Sequence, residues 1–322
     1  MTNWNALYER LTKRCPHMEL RKNEPMSRHT SFKVGGPVSL MALPKTADEA
    51  MDAIYLAYRQ GIRPFFLGNG SNLLVADEGY DGYVIKTTGL DRLEWVNFTF
   101  SGPKLVVGSG VPLSRLANFA AQQGLTGLEW AAGIPGTVGG AVTMNAGAYG
   151  GEISQVVDKV GYMAESGDIL SICAGVCEFS YRHSIFSRLP ERMVLDIILL
   201  PLEQDDPANI KARMDDLAAR RREKQPLEYP SAGSTFKRPP AVDGQPVYAA
   251  ALIEQCGLKG LSVGGAQVSE KHAGFIVNRG GASCGDIIKL MAQVRERVFK
   301  ETGVTLEPEV RYLGMEGEIW NF

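Results

Sequence analysis

Residues 133–151 read GIPGTVGGAVTMNAGAYGG, seven glycines in nineteen positions with no charged residue among them. Interior glycines loosen helices and strands alike, so this density predicts a loop that some other group approaches closely. Without a β-carbon the backbone is free to adopt positive φ and turn successive N–H groups towards one point, the nest geometry that holds diphosphates and other anions. No Gly-Lys-Ser/Thr follows, so the segment is not a Walker loop. No clear strand feeds Gly133, which sets it apart from the usual dinucleotide fingerprint. Tight turns between strands are the competing explanation, but turns seldom need so many glycines interleaved with small apolar residues and Asn145. A second, shorter glycine turn, Gly68-Asn-Gly-Ser-Asn72, follows the apolar run Pro64–Leu67. Two such loops in one domain suggest a large ligand with two phosphates.

The 322 residues are 44% hydrophobic and 22% charged, with a formal net charge of -2. That length supports two or three packed domains, and the composition is that of a globular protein. The charge supplies no broad attraction to nucleic acid or to an anionic membrane, so neither is expected as a partner, although a local basic cluster suffices for one phosphorylated ligand. The first residues, MTNWNALYERLTKRC, hold no apolar run of signal-peptide length, and no stretch of eighteen or more apolar residues occurs elsewhere. A cytoplasmic location without membrane insertion is expected. The five cysteines, Cys15, Cys173, Cys177, Cys256 and Cys284, are scattered, and His17, His29, His183 and His272 share no metal-ligand spacing. No metal site is expected, which leaves the chemistry to a cofactor or to acid and base side chains.

Thr46-Ala-Asp-Glu49 is a capping box, and Ala50, Ile54 and Ala57 continue at helical spacing until Gly61. Pro64–Leu67, Leu73–Val75 and Tyr83–Ile85 read as strands, giving strand, polar glycine turn, strand. Residues 93–111 alternate as strands, 113–123 form a helix ending at Gly124, and 156–202 return to a β pattern. Asp206-Pro207 opens a helix carrying Ile210, Met214 and Leu217, which Gln225-Pro226 ends. A helix is expected at 247–256, a strand at 273–277, and a helix from Ser283, capped with Asp286, to Gly303.

Among the other motifs, Tyr181-Arg182-His183-Ser184 offers a fixed cation for a carboxylate or enolate, although an arginine so placed is more often a surface ion-pair partner. Ser231-Ala-Gly-Ser234-Thr-Phe-Lys-Arg238 is a polar turn in which a serine is usually only a turn former, but in which a hydroxyl is also available as a proton donor. Glu307-Pro-Glu309-Val-Arg311 alternates like a strand with both glutamates and Arg311 on one face. Arg220-Arg-Arg-Glu-Lys224 complements a helix C-terminus and is ordinarily solvated, with Lys224 near the serine turn in sequence.

In this order these motifs, together with His29-Thr-Ser-Phe-Lys-Val-Gly-Gly36, Leu67–Asn72, Gly133–Ala141, Met144–Gly150 and Lys271-His-Ala-Gly-Phe275, resemble the UDP-N-acetylenolpyruvoylglucosamine reductases, the MurB family of bacterial cell-wall synthesis. The resemblance implies an α+β fold. An FAD-binding domain of the vanillyl-alcohol-oxidase (PCMH) type would comprise subdomains 1–88, completed by 305–322, and 89–205, followed by a substrate-binding domain at 206–304. It implies non-covalent FAD, NADPH as co-substrate and UDP-N-acetylglucosamine enolpyruvate as the acceptor, with a monomer expected. The cofactor contacts it implies are Leu67, Gly68, Asn69, Gly70, Ser71, Asn72, Gly133, Ile134, Pro135, Gly136, Gly139, Gly140, Ala141, Met144, Asn145, Gly147 and Arg311. Arg182 and Glu309 match the pair that polarises the enolpyruvyl group, and Ser234 matches the proton donor. Tyr181, Lys224, Lys237, Arg238 and His272 fall where the family meets its substrate. The short passage from Ser184 to Met193 lacks the insertion with a substrate-clamping tyrosine found in one branch, so the chain resembles the other branch. Another flavin oxidase would share the glycine loops without the serine turn and the C-terminal glutamate. A non-catalytic sugar-nucleotide binder would keep the basic cluster and bind no flavin.

Overall fold

The structure, a computed structural model, describes residues 3–99, 102–241 and 244–318. Residues 1–2, 100–101, 242–243 and 319–322, which fall within the expected subdomain ranges, lie outside the described residues. The chain divides into two compact units: Met1–Lys22, Ser39–Asn69 and Gly82–Arg220 form one, and Asn23–Val38, Gly70–Asp81 and Arg221–Phe322 the other.

In the first unit, helices Trp4–Arg14 and Ala47–Tyr58 share a core with strands Pro37–Leu43 and Tyr80–Lys86. Ala50, Ala53, Ile54 and Ala57 recur at helical spacing and are fully buried, against the alternating Leu40 and Ala42. Thr46 caps the second helix as its sequence predicts, accepting from the Glu49 N–H at 3.2 Å. Most of a four-stranded sheet lies here, in the order Glu19–Pro25, Pro37–Leu43, Tyr80–Lys86, Pro64–Leu67. The larger core of this unit backs a five-stranded sheet, ordered Ile169–Cys173, Val157–Met163, Met193–Leu199, Gly102–Gly108, Leu93–Phe98, in which every neighbouring pair is antiparallel. Helix Leu113–Gln122 buries Leu113, Leu116, Ala117 and Ala120 against that core.

The second unit is organised by helix Cys284–Thr302. Ser283 and Asp286 form its capping box, and Gly303 closes it in the left-handed region at φ 73°. Its stripe of Ile287, Leu290, Met291, Val294 and Val298 is buried with Phe32, Leu74, Ile276 and Leu306. A three-stranded antiparallel sheet of Ser262–Val263, Ala266–Val268 and Ile276–Asn278 completes that core.

Three local expectations need correction. The glycine-rich segment is not loop throughout: Val138–Met144 is helical, and Gly147–Ala148 pairs with Gly151–Glu152 in a small hairpin. Residues 185–188, expected as β, form a short helix capped by Ser184. Residues 307–310 are an extended strap, and the strand proper begins at Arg311. Pro64–Leu67 and Leu73–Val75 are both strands, as expected, and enter different sheets. The former pairs in parallel with Tyr83–Lys86 and the latter in parallel with Arg311–Leu313.

Candidate active site

In the first unit the two glycine-bearing segments meet. The Asn69 side chain donates to the Pro135 carbonyl at 2.6 Å, and a β-carbon on Gly68 would stand 2.5 Å from the Thr137 hydroxyl. Thr137, which the sequence reading passed over, is 2% exposed and caps helix Val138–Met144 through the Gly140 N–H. The loop is stitched to the end of strand Gly102–Gly108 by Leu113 N–H to Gly136 O, Val138 N–H to Val111 O and Gly139 N–H to Ser109 O, at 2.8–3.0 Å. The helix therefore lies very close to the chain beneath it, and a β-carbon on Gly139 would come within 2.8 Å of the Ser109 β-carbon. Near Gly151 the same device admits the Trp130 ring. Of the seven glycines only Gly150 has positive φ; Gly139, Gly147 and Gly151, like Gly68 of the shorter turn, serve close approach rather than left-handed turns. Asn69, Gly70 and Ser71 are consecutive residues whose main-chain N–H groups meet no acceptor among the described residues. Such donors fit an anionic ligand.

Asn145 ends the short helix in the left-handed region, φ 45°, ψ 58°, and is 1% exposed. Its side chain, expected among the cofactor contacts, bridges two main-chain groups of this unit. Its amide donates to the Ser180 carbonyl at 3.0 Å and accepts from the Ser154 N–H at 3.2 Å. Ser180 and His183 exchange two main-chain hydrogen bonds of 3.1 Å, closing a two-residue turn that presents Tyr181 and Arg182. Arg182 has φ 55° and its guanidinium lies 5.1 Å from the Tyr181 ring centre. Ser184 is fully buried, donates to the Thr143 carbonyl at 2.8 Å and caps the next helix.

In the second unit the Ser234 turn, the Glu309 strap and the Asn72 turn are brought together by main-chain bonds. Thr235 donates to Gly274 O and accepts from Glu309 N–H, both at 2.8 Å, while Lys237 N–H donates to Glu307 O at 2.8 Å. The Thr235 hydroxyl, fully buried, accepts from Ile276 N–H at 3.0 Å. Asn72 donates through its side chain to Glu309 O and accepts at its carbonyl from Arg311 N–H, each at 3.0 Å. Ser234 itself is exposed between the positive-φ Gly233 and the buried Thr235. Gly70 holds φ 61°, where any β-carbon would strike the His29 carbonyl, and its own carbonyl accepts from Ser31 N–H.

The expected substrate residues differ in their surroundings. Lys237 lies 3.4 Å from the Glu307 carboxylate, Arg238 sits 5.2 Å from the Tyr248 ring centre, and Lys224 is exposed at the end of helix Pro207–Lys224. His272 accepts the Gly274 N–H at Nδ1 and packs edge-on to Phe275, with ring centres 4.9 Å apart. Burial pushes its pKa below the ordinary imidazole value, so the neutral ring is favoured.

Known proteins match both units. A family model for an FAD binding domain covers residues 38–172, and one for the C-terminal domain of UDP-N-acetylenolpyruvoylglucosamine reductase covers 225–313. The chain is 46% identical over 308 residues to the UDP-N-acetylenolpyruvoylglucosamine reductase of Caldanaerobacter subterraneus subsp. tengcongensis, spanning 96% of this chain and 98% of that protein. It is 47% identical over 294 residues to the enzyme of the same name from Clostridium botulinum strain Hall, spanning 91% and 92%. The crystal structure of UDP-N-acetylenolpyruvylglucosamine reductase (MurB) from Thermus caldophilus matches with a TM-score of 0.75 at 34% identity, over 92% of this chain and 99% of that one. With an α+β fold and similarity that runs nearly from end to end, the chain belongs to the UDP-N-acetylenolpyruvoylglucosamine reductase family of FAD-dependent oxidoreductases.

Proposed function

We propose that this protein reduces the enolpyruvyl ether of UDP-N-acetylglucosamine enolpyruvate to the lactyl ether of UDP-N-acetylmuramate with NADPH, a cytoplasmic step of peptidoglycan precursor synthesis. The observation that carries the reading is the near full-length identity of 46–47% to reductases named for that substrate. Ser234, Arg182 and Glu309 stand at the matching motifs. No described helix is long and apolar enough to cross a membrane.

FAD, when bound, supplies hydride transfer from NADPH to the alkene. The protein's part is to hold that cofactor and manage charge and proton. The 67–72 and 133–147 segments, with Arg311, cradle it without a covalent bond, so acid denaturation releases the flavin; yellow colour remaining with the precipitated chain would contradict this. As hydride reaches the methylene carbon, negative charge moves onto the substrate carboxylate, and Arg182 stabilises it where it develops. Glu309 orients that network. Ser234 gives its hydroxyl proton to the neighbouring carbon, a duty that a weakly acidic hydroxyl performs only with cations beside it or a proton relay to it. Tyr181, Lys224, Lys237, Arg238 and His272 contact the sugar nucleotide. In domain terms we assign 1–88 with 305–322, and 89–205, to the cofactor, and 206–304 to the substrate. The protein acts as a monomer, and light scattering checks this against the chain mass of 35.0 kDa.

The direct test reduces the holoenzyme anaerobically with NADPH and then adds substrate. The enolpyruvyl sugar nucleotide restores the oxidised flavin spectrum, whereas UDP-N-acetylglucosamine, which lacks the enolpyruvyl group, leaves the protein bleached. Equal reoxidation by both compounds would sink the assignment.

A further inference from the structure

We propose that Asn145 is a positioning residue for Arg182. Its amide fixes the Ser180–His183 turn to the end of helix Val138–Met144 and thereby sets where the guanidinium stands. The inference rests on the role given above to Arg182.

The amide has one possible orientation. The Ser180 carbonyl only accepts and the Ser154 N–H only donates, so the two bonds, at 3.0 and 3.2 Å, assign the nitrogen and the oxygen of Asn145 without ambiguity. At 1% exposure the side chain has no room to exchange these partners for water. The backbone selects the residue as well: φ 45° is uncommon except for glycine and short polar residues such as asparagine. A glycine would satisfy the backbone and lose both side-chain bonds.

The turn that Asn145 grips has little slack. Reciprocal 3.1 Å bonds between Ser180 and His183 leave only Tyr181 and Arg182 at its tip, and Arg182 is itself held at φ 55°. Ser184, on the far side of the turn, is tied to the Thr143 carbonyl at 2.8 Å. The turn is thus pinned at both ends to the last residues of one short helix, the helix that follows the Gly133–Thr137 loop. Releasing the Ser180 end lets the turn pivot about Ser184, and the long arginine side chain magnifies that movement at the guanidinium. A residue serving the fold alone would change flavin retention or stability and touch both half-reactions alike. A positioning residue acts on the step that needs the cation, and acts only while Arg182 is present.

Asn145→Asp separates these cases. The carboxylate keeps an acceptor for Ser154 N–H and tolerates the left-handed backbone, but sets an oxygen against the Ser180 carbonyl. With FAD saturating, reoxidation by the enolpyruvyl sugar nucleotide is expected to slow about 10- to 100-fold more than reduction by NADPH does, the scale of small misplacements of a catalytic group. In an Arg182→Gln background the same change should add less than about twofold, because coupled residues are not additive. Equal slowing of both half-reactions, or the full factor reappearing without Arg182, overturns the proposal. Normal reoxidation by Arg182→Gln alone would instead overturn the role of Arg182. Asn145→Gly, which keeps the backbone and loses both bonds, should reproduce the pattern of Asn145→Asp. If neither variant holds flavin, Asn145 serves the fold or the cofactor and the proposal is wrong.

Discussion

Ser234 and Thr235 are adjacent hydroxyl residues with opposite surroundings. Thr235 is fully buried, with its hydroxyl bound to Ile276 N–H, whereas Ser234 is exposed on the turn that Thr235 anchors. The anchoring gives the proposed proton donor a fixed location at small cost in side-chain entropy, because serine has few rotamers to lose. Ser234→Ala is expected to bleach with NADPH normally and to reoxidise with substrate about 10²–10⁴-fold more slowly, the usual share of general acid catalysis. Loss of rate in the NADPH step to the same degree would remove the role. His272 gives a prediction of another kind. Its folded pKa lies below the 6.5 of a free imidazole, so the unfolded chain binds the proton more readily. The stability it contributes is complete above that value and is lost as pH falls from there through the folded pKa. Denaturant midpoints measured from pH 8 to pH 5 should fall less steeply for His272→Gln than for the unaltered protein; parallel curves would show that the shift is absent. At this scale the three residues proposed to take part in the reaction, Arg182, Ser234 and Glu309, each sit in a recognisable string. Thr137, Thr235 and the structural task of Asn145 were not legible, because their partners Gly68, Ile276 and Ser180 are 35 or more residues away and no local pattern announces them.

Helices with strong caps were readable from sequence. Thr46 and the Ser283–Asp286 pair mark the starts where the structure has them, and Gly303 marks an end. The Val138–Met144 helix was hidden by its glycines. Their propensity argues for a loop, but tertiary contact overrides it: Val138, Ala141 and Val142 enter the core, and Gly139 lets the helix settle on Ser109. Two substitutions in this helix should therefore differ in sign. Gly139→Ala forces its new methyl against the Ser109 β-carbon and should destabilise the protein by about 1–3 kcal/mol, as overpacking does. At Gly140 the nearest atom is the Thr137 hydroxyl at 3.7 Å, so alanine there should leave the flavin-free protein as stable or up to about 1 kcal/mol more stable. Urea unfolding of both flavin-free variants checks this; equal destabilisation would mean that close approach is not what glycine supplies at position 139. The strap at 307–310 failed as a strand for a related reason. Main chain to main chain it meets the short stretch 235–237, through Glu309 N–H to Thr235 O, Lys237 N–H to Glu307 O and the isolated Phe236–Pro308 bridge, too little for a ladder.

Across the whole chain, each of the two units is assembled from three separated segments, and this discontinuity was the least legible property. Leu73–Val75 is adjacent in sequence to the Pro64–Leu67 strand but pairs with Arg311–Leu313, more than 230 residues away. Periodicity shows that both are strands and is silent about their partners. The α+β class was nevertheless readable, because the order of glycine loops, serine turn and C-terminal glutamate matches one family along almost its entire length. This chain couples NADPH to reduction of an enolpyruvyl ether. The most direct measurement of that coupling is the anaerobic stoichiometry of turnover by the purified flavoprotein. One UDP-N-acetylmuramate formed for each NADPH oxidised, with no oxidation when the enolpyruvyl sugar nucleotide is omitted, is the predicted result. NADPH consumption that proceeds without that product, or a protein that binds no flavin, would contradict the account.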